Sequence, residues 1–132
     1  MRKKMMWSIA SLSLVFTAFA STPHAQGEVT RTVLLRHEAS APGYEVVMIE
    51  VQIPAGAREG RHTHPGTLLG RVEQGTLTFD YEGKQTTYKT GESFFADADK
   101  VHEGINKGDT GVKVLATMIV KAGGGPLTTP AK

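Results

Sequence analysis

From residue 28 onward the chain is written in short apolar runs with a period of two. In Thr76 to Tyr81, Leu77, Phe79 and Tyr81 alternate with Thr76, Thr78 and Asp80. Successive side chains of an extended strand point to opposite faces, so this segment has one apolar and one polar face, the mark of a half-buried strand. Tyr44 to Ile53 is a second such segment, in which Val47, Ile49, Val51 and Ile53 alternate with Met48, Glu50 and Gln52 in the same way. Val29 to Arg36, Gly70 to Val72, Gln85 to Tyr88, Ser93 to Ala96 and Val112 to Val120 are further short segments rich in β-branched and aromatic residues. Turn formers separate them: Ala41-Pro42-Gly43, Pro54-Ala55-Gly56, Pro65-Gly66, Glu82-Gly83, Thr90-Gly91 and Lys107-Gly108-Asp109. No helical period runs through the chain. The pattern predicts an all-β sandwich or barrel, with Glu82-Gly83 as a tight hairpin turn.

The two ends break this pattern. Arg2, Lys3 and Lys4 precede an apolar run from Ile9 to Phe19 that closes on Ala18-Phe19-Ala20, the layout of a cleavable signal peptide over residues 1–20. Cleavage is expected after Ala20 or Ala25. The run is interrupted by serines and falls short of the roughly 20 apolar residues that span a bilayer, so no membrane association is expected after cleavage. The mature protein is expected in the periplasm or the medium. At the other end, residues 121–132 hold Gly123-Gly124-Gly125-Pro126 and no periodicity, which predicts a flexible tail; the competing reading docks Leu127 back on the barrel. The expected domain therefore covers residues 28–120.

Removing the leader changes the charge. Three of the fifteen basic residues lie in it and all thirteen acidic residues lie beyond residue 20, so the mature chain is close to neutral. Its bases are scattered, and no stripe exists to neutralise successive phosphates, which argues against nucleic acid as a partner and leaves small molecules as the expected ligands. The chain has no cysteine. Disulfides, thiolate zinc sites and a cysteine nucleophile are therefore excluded, and any metal must be held by nitrogen and oxygen.

Of five histidines, His62-Thr63-His64 and His102 stand where a metal would need them. In an extended strand the side chains of residues 62 and 64 share a face. His102 lies about forty residues on, within reach of an antiparallel neighbour. Imidazoles suit zinc, copper, iron and nickel, and three of them leave coordination positions open. By itself the triplet also fits two loop histidines or a satisfied core pair. His37 reads as a surface residue and His24 falls near the cleavage region. Asn106 fits either a plain turn or an amide that orients the loop bearing His102.

The context of the triplet is more specific. Gly56, five residues, His62-Thr63-His64 and the turn at Gly75 resemble the first cupin motif, and Gly91-Glu-Ser-Phe94-Phe95 running to His102, Gly104 and Asn106 resembles the second. The resemblance to the cupin superfamily implies a double-stranded β-helix, or jelly-roll barrel, with His62, His64 and His102 as metal ligands. Two departures stand out. The glutamate usual four residues after the second histidine is Leu68 here, and the proline usual before the last histidine is absent. Glu73 has the wrong strand parity to replace the missing carboxylate and reads as a surface turn residue.

A three-histidine site keeps the full charge of a divalent ion, which favours iron, zinc, copper or nickel over harder metals. The resemblance implies a metal-dependent, oxygenase-like enzyme acting on a small organic molecule. The alternative is a non-catalytic cupin that binds or senses a small ligand. The candidates for an acid or base are Glu50, Glu103 and the tyrosines. The apolar strand Val29 to Arg36 has the composition to pair at a sheet edge, which predicts a homodimer.

Overall fold

A computed structural model describes residues 27–132. The expected leader, both cleavage positions and His24 lie outside the described residues. In chain order the strands are β1 (Thr30–Glu38), β2 (Tyr44–Ile53), β3 (His62–Thr63), β4 (Thr67–Gln74), β5 (Thr76–Tyr81), β6 (Lys84–Lys89), β7 (Ser93–Ala96), β8 (His102–Ile105), β9 (Val112–Lys121) and β10 (Thr129–Pro130). No helix occurs among the described residues. The strands form two five-stranded antiparallel sheets, ordered β1-β2-β9-β4-β7 and β10-β3-β8-β5-β6. This is the double-stranded β-helix implied by the sequence.

The period of two becomes the two faces of the first sheet. Ala96, Leu68, Met118 and Val47 are register partners across β7, β4, β9 and β2, and all four are buried between the sheets. Burying each of the larger apolar side chains contributes about 1.5–3 kcal/mol. One residue along, Phe95, Leu69, Thr117, Met48 and Leu35 form the matching row on the outer face. There Phe95, Leu69 and Leu35 remain more than half exposed.

Two local features fix the register. Glu82 and Gly83 both have positive φ, 51° and 88°, so the hairpin is a two-residue turn of type I′, whose twist matches that of the flanking strands. Asp80 holds it by accepting the amide of Gly83 at 3.0 Å. Gly70 in β4 faces Phe94 in β7. A Cβ on Gly70 would lie 2.4 Å from the ring of Phe94, so the aromatic ring fills the space a side chain would have taken.

The tail departs from expectation. Residues 121–132 were expected to be flexible, but the chain turns back at Gly123 and Gly125, both at positive φ. Leu127 is partly buried against the core, Thr129 and Pro130 pair with Thr63 and His62, and the amide of Ala131 donates to the carbonyl of Arg61 at 2.9 Å. The physical reason is that β3 offers a free edge whose backbone groups need partners. The segment meets that need through its own backbone, which does not require hydrophobic periodicity.

Candidate metal centre

β3 and β8 run antiparallel with His62 directly opposite His102, and strand parity brings His64 to the same side as His62. All three rings are buried. Their centroids lie 4.8 Å apart for His62 and His64, 4.6 Å for His62 and His102, and 4.9 Å for His64 and His102. The candidate ligand atoms fall within 4.8 Å of one another. The structure thus brings together the three histidines singled out by sequence, and only those three, as a cluster able to hold a metal among the described residues.

Each ring is oriented from behind. Nδ1 of His62 lies 2.7 Å from the carbonyl of Gly60, Nδ1 of His64 2.7 Å from that of Leu127, and Nδ1 of His102 2.8 Å from that of Lys100. A carbonyl can only accept, so each Nδ1 carries the proton and donates. The lone pair is left on Nε2, the arrangement second-shell carbonyls impose on metal-binding histidines. Nε2 of His102 is buried with no hydrogen-bond partner. An unpaired buried polar atom costs about 1–3 kcal/mol, and a cation at the centre of the cluster would supply the partner. By that measure the residues fit a metal ion.

The loop leading to His102 is held without the usual proline. Asp99 takes a left-handed conformation, φ 60°, and its amide donates to the carbonyl of His64 at 2.8 Å. Tyr81 Oη donates to Asp97 Oδ2 at 3.2 Å. On the far side of β8, Asn106 is buried and does more than occupy a turn. Its amide nitrogen donates to the carbonyls of Ile53 at 2.9 Å and Thr110 at 2.7 Å, and its Oδ1 accepts the amide of Gly108 at 3.0 Å.

The three histidines line a cavity of about 40 Å³, room for a few water-sized groups. Its walls are apolar, including Ile49, Leu68, Leu77, Phe79, Phe94 and Met118. Leu68, at the position of the missing glutamate, does face the histidines, so parity placed it correctly. Glu73 is outside, at the irregular end of β4 and paired with Arg71 at 3.1 Å.

Burial dominates the electrostatics. It lowers the pKa of His64 and of His102 to about 4 in each case, because a charged ring would lose its hydration. The carbonyl bonds of Leu127 and Lys100 oppose this, and the neighbouring histidines add to it. Both rings are therefore neutral, as metal ligands must be, at any ordinary pH.

Three polar residues at the cavity were not singled out by the sequence reading. Arg31 from β1, Glu59 and Thr128 line it. Arg31 Nη2 donates to Glu59 Oε1 at 3.1 Å, and Glu59 Oε2 accepts the amide of Gly104 at 2.8 Å. No local pattern marks them, because their partners lie far along the chain. Conversely, none of the acid or base candidates named from sequence lines the cavity. Glu50 has the parity opposite to Ile49 and Val51 and faces Lys113 at 3.6 Å. Glu103 is buried but turned away from His102, where it forms a two-point ion pair with Arg58.

The model of the Cupin domain matches residues 49–118, more than half of the chain. The chain belongs to the cupin family. Among solved structures, this cupin resembles an uncharacterized conserved protein with a double-stranded β-helix domain from Klebsiella pneumoniae, at TM-score 0.64 and 22% identity over 80% of this chain and 86% of that one. It also resembles a cupin superfamily protein from Desulfitobacterium hafniense, at TM-score 0.61 and 16% identity over 73% and 81% of the two chains. A DMSP lyase from Ruegeria pomeroyi follows at TM-score 0.58 and 18% identity, over 65% of this chain and 43% of the lyase. At these identities the likeness shows the fold. No curated protein sequence matches the chain.

Proposed function

We propose that this cupin binds one divalent transition metal (iron, zinc, copper or nickel) through His62, His64 and His102, and that it is an oxygenase-like enzyme acting on a small organic molecule. The observation that carries the metal is the shared orientation of the rings. Three Nδ1 atoms are committed to carbonyls and the buried Nε2 of His102 has no partner. When bound, the metal supplies Lewis acidity and, for iron or copper, redox chemistry. The chain contributes the rest: three imidazoles held in one orientation by backbone carbonyls, and a cavity lined mostly by apolar side chains.

The cavity favours metal-centred chemistry over proton abstraction. Its one carboxylate among the described residues, Glu59, is already bonded to Arg31 and to the amide of Gly104. Lyase chemistry of the kind named for the Ruegeria protein needs a base that can accept a proton, and Glu59 is poorly placed to do so. The same observation favours, as a second reading, a non-catalytic cupin that sequesters or senses a small ligand.

Elemental analysis of the untagged protein against His62→Ala tests the metal. One equivalent of metal is expected in the parent, with affinity reduced more than about 100-fold in the variant, beyond the range seen for loss of a second-shell partner. Equal metal in both would overturn the assignment. With iron or copper present, oxygen uptake over a panel of small organic acids separates the enzyme from the binding protein. Export rests on the leader, and the N-terminal sequence of protein recovered from the periplasm or medium tests it, with Ser21 or Gln26 expected. A homodimer is proposed from the exposed edge strand β1, where Val33, Leu34 and Leu35 are each about half exposed or more; a monomer mass by light scattering would remove it.

A further inference from the structure

The three rings are oriented by carbonyls of different origin. Gly60 and Lys100 each stand two residues before the histidine they hold, so those bonds close within one local turn. The carbonyl holding His64 belongs to Leu127, 63 residues away. Thr128 places its Oγ1 3.5 Å from the same Nδ1 and lines the cavity. Beyond it, Thr129 and Pro130 pair with β3 at Thr63 and His62, and Ala131 is anchored to Arg61. The segment thus lies along the one free edge of β3, from Arg61 to the ring of His64 just past the strand's end.

We propose that Leu127 is a positioning residue for the metal site and that residues 126–132 act as a strap whose docking and metal binding reinforce each other. The proposal rests on the metal reading above. With the strap docked, the carbonyl of Leu127 holds the proton of His64 on Nδ1 and presents Nε2 to the metal. With the strap released, His64 loses its acceptor and its cover, and the ring is free to rotate or change tautomer. Linkage requires the effect to be reciprocal: whatever factor docking adds to metal affinity, the metal adds to docking. Gly123 and Gly125, both at positive φ, are the hinge on which the strap returns.

Zinc is the probe. Its affinity is measured by chelator competition on the full chain, on a chain lacking 126–132, and on Ala131→Pro. Proline at 131 removes the amide bonded to Arg61 without touching the cavity. Truncation is expected to weaken zinc by about 10- to 100-fold, the usual effect of losing a second-shell partner, and Ala131→Pro by less in the same direction. Nitrogen-15 imidazole spectra of the metal-free proteins supply a readout that general loosening would not reproduce. His64 is expected to lose its single tautomer while His62 and His102, held by local carbonyls, keep theirs. In the full chain, zinc should slow tryptic cleavage after Lys121. Should the truncated chain not fold, Ala131→Pro carries both measurements. Unchanged zinc affinity in the variants, an unchanged His64 tautomer, or changes spread evenly over all three histidines would overturn the strap alone. A full chain that binds neither zinc nor iron, copper or nickel would overturn the metal reading, and the strap with it.

Discussion

Four of the five strands in the first sheet run for eight to ten residues, whereas the strands that bring the histidines together in the second are two and four residues long and share a single registered pair. The first sheet contributes most of the apolar core, with β2 and β9 paired without interruption from Tyr44 to Ile53. The second contributes His62 and His102 from its strands, with His64 on the residue that follows β3. The lesson is that the site stands on the weaker ladder. Its geometry comes from individual bonds to carbonyls and loops, while the stability that tolerates three buried imidazoles comes from the opposite sheet.

The largest expected effect is acid loss of stability in the metal-free protein. An unfolded imidazole titrates near 6.5, whereas His64 and His102 in the fold do so at about 4. Above pH 6.5 both are neutral in either state and contribute nothing to the pH dependence. Between 6.5 and about 4 the unfolded chain takes up protons that the folded chain refuses, so stability falls as pH falls, by about 3 kcal/mol per histidine at full extent. Urea midpoints across that range should show it, and hydrogen exchange should find β3 and β8 losing protection before β2 and β9. Bound zinc should move the loss to lower pH. A flat profile would mean that the rings are less buried than the geometry indicates.

A cavity on the other side of the comparison should act differently. Ile53→Ala removes a fully buried side chain at the end of β2 and is expected to cost about 2–5 kcal/mol in chemical denaturation, while the zinc affinity of the folded fraction stays at the parent value. A parallel loss of affinity would show that the two sheets do not divide the work. The smallest effect is one of selectivity. Leu68→Glu restores a carboxylate facing the histidines from the first sheet. Oxygen ligands suit harder metals, so manganese should gain on zinc by roughly tenfold, or ~1.4 kcal/mol, in competition titrations. An unchanged ratio would mean the carboxylate does not reach the ion.

The parts legible in the sequence are those written in side-chain type. β2, β5 and β7 begin and end where alternation and turn formers place them. The histidines are legible because residues 62 and 64 share parity and the spacing to His102 is specific. β8 and β10 carry little apolar alternation, and the first was read only as the surroundings of His102. Docking of the tail was legible only as the competing reading at Leu127, an apolar side chain that does pack on the core. Its pairing with β3 and its hold on His64 were not legible, because they are made by backbone groups that every residue possesses. Arg31 and Glu59 were missed for another reason. They meet across 28 residues, and each taken singly is an ordinary surface charge.

The seat of the Phe94 ring above Gly70 has a consequence for descent. With backbone and ring already in contact across neighbouring strands, neither position can drift alone: a methyl gained at 70 collides with the ring, and a ring lost at 94 leaves a void beneath bare backbone. In related lineages the two sites should therefore trade volume as one inherited unit, any side chain at the first arriving with a smaller residue at the second.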